Sequence, residues 1–82
     1  MTRSKLDIFA QILEAAKSGK TKTAIVSQVN LNQQLATSTL KLLLDLDLVS
    51  EKRNSPTAYL TSERGLRFLQ EYQYLRRILE SK

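Results

Sequence analysis

Between residues 21 and 46 lie two apolar-edged segments separated only by Asn30-Leu31-Asn32, and this spacing restricts the fold more than any other feature of the chain. In the first segment Ile25, Val26 and Val29 share one edge. Their β-branched side chains would also suit a strand. Capping residues before them and an Asn-rich turn after them favour a helix, with Thr21 or Thr23 at its start. Asn30 tolerates the left-handed conformation that ends helices. Asn32 is placed to cap the next helix by accepting a backbone N–H from Gln34 or Leu35. That helix runs from about Gln33 to Leu46 and carries leucine at 35, 40, 42, 43, 44 and 46. Its C-terminal half is apolar nearly all round, which predicts burial on more than one side. Asp45 and Asp47 sit where the helix dipole disfavours anions, at a cost of about 0.3–1 kcal/mol each. Asp47 is expected to end the helix, because Asp enters the left-handed region more readily than most residues.

Two helices joined by so short a turn form a helix-turn-helix, the unit that can lay its second helix in the DNA major groove. On the second helix Gln34, Thr37, Ser38 and Lys41 fall on one face, while Leu35, Thr39, Leu40, Leu43 and Leu46 lie on faces turned away. All four polar residues can hydrogen-bond and none is acidic. With Asn32 and Gln33 at the helix start, they form the candidate reading face. Gln can pair bidentately with adenine, and Ser and Thr with several bases. A solvated helix face would have the same spacing, so position after the turn carries this reading.

The flanking chain supplies a frame. Ser4 can cap a first helix over about residues 5–18, with Asp7 at its third position. Leu6, Phe9, Ile12, Leu13 and Ala16 give it an amphipathic period, widened by Ile8, and Gly19 is its stop signal. Downstream, residues 48–53 read as a strand, Asn54-Ser55-Pro56 as a turn, and residues 57–60 as the returning strand. A lone hairpin is marginal in water and must pack on helices. Lys52, Arg53, Asn54 and Ser55 give it a polar, basic tip, the placement of a wing. Thr61 followed by Ser62-Glu63-Arg64 starts a last helix that runs to about Glu80. Gly65 in its first turn costs near 1 kcal/mol relative to Ala, which predicts close packing against the strands. Leu66 and Leu69 are expected to face the core. Phe68, Tyr72, Leu75 and Leu79 follow the four-three-four spacing of a coiled-coil seam. Residues 62–80 would span about 28 Å, more than so small a domain can cover, so the outer half needs a partner.

Charge follows the same division. Thirteen Lys and Arg stand against eight Asp and Glu, giving +5. Residues 1–24 and 50–82 each carry +3, whereas residues 25–49 carry −1. Positive flanks around a nearly neutral centre suit phosphate clamps on either side of a base-reading helix, although such residues also keep a small helical protein in solution. Lys20, Lys22 and Thr23, at the start of the second helix, form a candidate phosphate anchor. Arg3 and Lys5 are weaker candidates, being near a chain end. Arg76 and Arg77 flank the seam, where charges serve pairing and solubility.

The absence of cysteine and histidine removes disulfides, thiolate metal sites and the commonest general base. No Gly-rich phosphate loop or paired-carboxylate motif occurs, so neither an enzyme nor a metal, cofactor or small-molecule site is expected. No apolar run reaches the roughly 20 residues that span a bilayer.

The order helix, helix, helix, hairpin, helix is winged-helix architecture. The chain resembles a family of small archaeal winged-helix DNA-binding proteins in four places: Ile12 to Lys20, Lys22 to Ile25, Leu40 to Leu44, and Tyr59 to Gly65. The likeness extends from about Leu6 to Leu79, departing where the family usually has Gly and this chain has Asp47. It implies a transcription regulator or an abundant chromosomal protein, dimerising through its last helix.

The sequence therefore predicts a mainly α protein with a small β-hairpin: a winged helix-turn-helix domain over 1–65 and a C-terminal dimerisation helix over 62–80. Its expected partners are double-stranded DNA and a second copy of itself, in a cytoplasmic, nucleoid-associated setting. An architectural protein with little sequence preference, or a winged module that binds another protein, remains an alternative.

Overall fold

The computed structural model describes residues 3–53 and 56–80. Its elements are α1 (Lys5–Ala15), a 3₁₀ turn (Ala16–Ser18), β1 (Lys20–Thr21), α2 (Lys22–Val29), α3 (Gln33–Asp45), β2 (Val49–Lys52), β3 (Ala58–Thr61) and α4 (Glu63–Glu80).

Local chemistry accounts for most of these boundaries. Ser4 and Asp7 form a reciprocal capping box, each side chain accepting the other's backbone N–H at 3.0–3.1 Å. The first helix ends at Ala15, three residues earlier than its apolar period predicts, because the chain tightens into the 3₁₀ turn before Gly19 at φ 83°. Thr21 caps α2 through the N–H of Ala24. Asn30 takes φ 60°, and Asn32 caps α3 by accepting the N–H of Leu35 at 2.7 Å. Asp47, at φ 61°, follows α3: its N–H reaches the Leu44 carbonyl and that of Leu48 reaches Leu43. These two bonds form a Schellman stop built without glycine.

The expected hairpin is part of a three-stranded antiparallel sheet of order β1-β3-β2. Lys20 pairs with Tyr59 and Thr21 with Ala58, so the link between α1 and α2 adds a short edge strand to the wing. Two residues are too few to show a period of two, which is why the sequence pattern conceals β1. On the other side Val49 pairs with Thr61 and Lys52 with Ala58. Asn54 and Ser55, at the predicted tip, lie outside the described residues.

The core joins every helix to the sheet. Ile12, Leu13, Ile25, Leu40, Leu43 and Val49 are its largest fully buried side chains, and Leu69 brings in α4. Leu42 and Leu44 pack half-buried against this cluster, as the leucine-rich end of α3 predicts. Leu66 corrects an expectation: it is 40% exposed while Leu69 is buried. Three residues apart, the two do not share one narrow line on a helix resting on the body with a single edge. The start of α4 needs a second correction. Ser62, not Thr61, caps it, accepting the N–H of Gly65 and donating to the Asp47 carbonyl. Thr61 belongs to β3, and its buried hydroxyl donates to the Leu13 carbonyl. Gly65 is close-packed as expected. A Cβ there would strike the Leu48 carbonyl and come within 2.7 Å of the Thr61 methyl.

Candidate nucleic-acid interface

Burial divides α3 into two sides. Ala36, Thr39, Leu40 and Leu43 are buried, whereas Asn32, Gln33, Gln34, Thr37, Ser38 and Lys41 are all exposed. Packing against α2, α1 and β2 sets this division, since the apolar residues of α3 enter the common core. Leu35 and Leu46, expected on faces turned away, are also exposed, at 38% and 43%, as is Asp45 in the last turn of α3.

Two of the six residues have their hydroxyls engaged. Ser38 donates to the Leu35 carbonyl at 3.1 Å. Thr37 accepts from the Lys22 ammonium at 3.2 Å. Lys22 thus reaches from the start of α2 across to α3 instead of standing apart as a separate anchor. Thr23 beside it is exposed, and Lys20 is half-buried in β1. The structure therefore brings Lys22 together with the α3 face and puts Lys20 on the sheet.

On the wing, Lys52 and Arg53 are exposed. Arg53 pairs with Glu51 at 3.2 Å, its side chain 85% exposed, so solvent screens the pair. Opposite Glu51 in the ladder stands Tyr59, whose hydroxyl pKa is pushed up by burial and then by the neighbouring carboxylate.

Arg3 has a role that charge counting misses. Its guanidinium donates to the Val29 carbonyl at 2.9 Å, the Asn30 carbonyl at 3.3 Å and Gln11 of α1 at 2.9 Å. It thereby satisfies carbonyls at the end of α2 and ties the helix-turn-helix turn to α1, where a cation also complements the dipole. Nothing local in the sequence links residue 3 with residue 30.

The proposed seam of α4 is divided as well. Phe68 and Tyr72 pack against the core of the same chain. Phe68 lies 6.4 Å from Phe9 and stacks on Tyr72 at the same centroid distance. The Tyr72 hydroxyl donates to Asp7, and Arg76 sits 5.9 Å from the Tyr72 ring centre while pairing with Glu80. The Tyr72 hydrogen bond, followed by those from Ser4, holds the Asp7 carboxyl below its ordinary value of 3.8. Burial and then Asp7 raise the Tyr72 hydroxyl. Beyond Tyr72 the apolar residues stand outward: Leu75 is 54% and Leu79 75% exposed. Among the described residues no helix is long and apolar enough to cross a membrane.

Comparison with known proteins agrees with this architecture. The crystal structure of Sso10a-2, a DNA-binding protein from Sulfolobus solfataricus, superposes with a TM-score of 0.87 at 20% sequence identity, covering 96% of this chain and 84% of that one. No curated protein matches in sequence. The winged helix-turn-helix family pattern matches residues 2–80, nearly the whole length. With three helices, a wing and a fourth helix in the observed order, the chain belongs to the winged helix-turn-helix family.

Proposed function

We propose that this protein binds double-stranded DNA as a homodimer and acts in transcriptional regulation. Residues Asn32, Gln33, Gln34, Thr37, Ser38 and Lys41 would face the major groove; Lys52 and Arg53, with Asn54 and Ser55 beyond them, would lie along the backbone or minor groove. The observation that carries this reading is the division of α3: Gln33, Gln34, Thr37, Ser38 and Lys41 are exposed, with Asn32 at the cap and Asp45 closing that side in the last turn, whereas Ala36, Thr39, Leu40 and Leu43 are buried. A helix so held presents hydrogen-bonding groups from a rigid body, as base reading requires. The DNA-binding character of the structural relative supports the same reading. Leu75 and Leu79 supply apolar surface for pairing of α4 with a second copy.

Titrating salt in a mobility-shift assay with duplex DNA tests the proposal. Six phosphate contacts correspond to a log–log slope of about −5. Absence of a shift at low salt would refute DNA binding. Equal affinity for all duplexes would replace the regulatory role with an architectural one.

A further inference from the structure

The exposed face of α3 carries two adjacent rows at four-residue steps, Gln33–Thr37–Lys41, which ends at Asp45 in the last turn, and Gln34–Ser38, with Leu35 also exposed beside them. The hydrogen bonds already made inside the protein give these rows opposite polarity. We infer that the Gln33–Thr37–Lys41 row, set by Lys22, reads acceptor edges, guanine above all, while Ser38 reads the amino group of a neighbouring adenine or cytosine. This rests on the proposed placement of α3 in the major groove.

A hydroxyl has one proton and two lone pairs. In Ser38 the proton is committed to the Leu35 carbonyl, so the oxygen can offer only lone pairs to a ligand. In the major groove the complementary groups are the amino groups of adenine and cytosine. Thr37 is the reverse case. The Lys22 ammonium occupies one of its lone pairs, and among the described residues no acceptor takes its proton. The hydroxyl is therefore turned to donate. The Lys22 charge beside it, and Lys41 one turn further along the row, favour acceptor atoms at Thr37, whereas the Asp45 carboxylate lies two turns away at the far end of the row. Guanine presents two acceptors on this edge, N7 and O6, more than any other base. Lys22 is thus a positioning residue: lying on α2, it determines which way a hydroxyl on α3 points. Gln33 and Gln34 can present either end of their amides, so they do not alter the contrast between the rows.

Selection from random duplexes, followed by affinity measurements on single-base variants of the selected site, tests the assignment. In the wild type, one position should favour guanine and a neighbouring position adenine or cytosine. Lys22→Met should cut the guanine preference about fivefold, the low end of what a good base contact supplies, and leave the neighbouring position intact. Thr37→Val should remove that same preference and Thr37→Ser should restore it. Ser38→Ala should relax only the neighbouring position. All of these residues sit at or near the surface, and circular dichroism melts verify that each variant is folded. If Lys22→Met weakened binding equally on every sequence, Lys22 would be a phosphate contact alone and the inference would be overturned. Wild-type binding with no base preference would also overturn it, leaving DNA binding in place. Failure to bind any duplex would remove the proposed function and the inference together.

Discussion

Asp47 is the residue at which local chemistry and the fold conflict most openly. It occupies the left-handed position of the Schellman stop after α3, which glycine fills without a Cβ penalty, and it puts a carboxylate at the negative end of the helix. The geometry is imposed from outside: the Asp47 carbonyl accepts from Ser62, and the N–H groups of Asp47 and Leu48 complete α3. Asp47→Gly should therefore raise stability by about 1 kcal/mol, after allowing for the greater freedom of glycine in the unfolded chain. In a domain of this size that corresponds to a melting temperature about 4–8 °C higher. Asp47→Ala removes the charge and keeps the strained backbone; a gain equal to that of Asp47→Gly would assign the effect to the dipole alone. Residue chemistry was legible for most partners within one turn. The exception is the cap of α4, where adjacent Thr61 and Ser62 offer the same hydroxyl and only the sheet, by taking Thr61, decides between them. Ser4 with Asp7, Asn32 with Leu35 and Asn30 in its positive-φ turn all followed from sequence. Arg3 on the Val29 and Asn30 carbonyls and Lys22 on Thr37 did not, because those partners are 15 to 27 positions away and only packing unites them.

At the scale of elements, hydrophobic period identifies the helices but not what each face meets. The spacing of Phe68, Tyr72, Leu75 and Leu79 describes a continuous seam, yet its first half is spent on α1, through Phe9 and Asp7. A four-three-four pattern records only that a stripe is apolar, and one stripe can serve two partners along its length. The edge strand β1 escaped for a different reason, since its identity comes from pairing with Tyr59 and Ala58 in a distant part of the chain. The α1–α4 contact carries a dependence on pH. Asp7 is held below its ordinary range in the folded protein, chiefly by the Tyr72 hydroxyl, so its contribution is present above the unfolded value of 3.8 and lost as pH falls through the lower folded value. Tyr72 is shifted upward, so its contribution is present below 10.0 and lost as pH rises through its higher folded value. Tyr72→Phe should lower the melting temperature at neutral pH, and the gap to the wild type should shrink below pH 3.8 and above pH 10. No gap at neutral pH would mean that ring packing, which Phe keeps, and not the hydroxyl–carboxylate bond joins the two helices.

For the whole molecule, the dimensions of 47 × 27 × 20 Å reflect a small body from which one helix projects. The 18 residues of α4 span about 27 Å, and with Phe68 and Tyr72 docked, the projecting part begins near Leu75. A chain of 82 residues has little core to spare, so apolar side chains left in water on an otherwise charged helix are a cost that a second copy would remove. Pairing there would leave α3 and the wing of each copy outside the contact, and the angle at which α1 holds α4 would set the distance between the two reading faces. Replacing Leu75 and Leu79 together by Glu places like charges where the copies would meet. Sedimentation should then shift from dimer to monomer while helix content stays close to that of the wild type, because neither residue belongs to the buried core. The salt slope of DNA binding should fall to about half, since each monomer would bring only its own phosphate contacts. A double variant that still sediments as a dimer would place the contact on another face, and a dimer lost with the slope unchanged would mean that one copy alone supplies the DNA contacts.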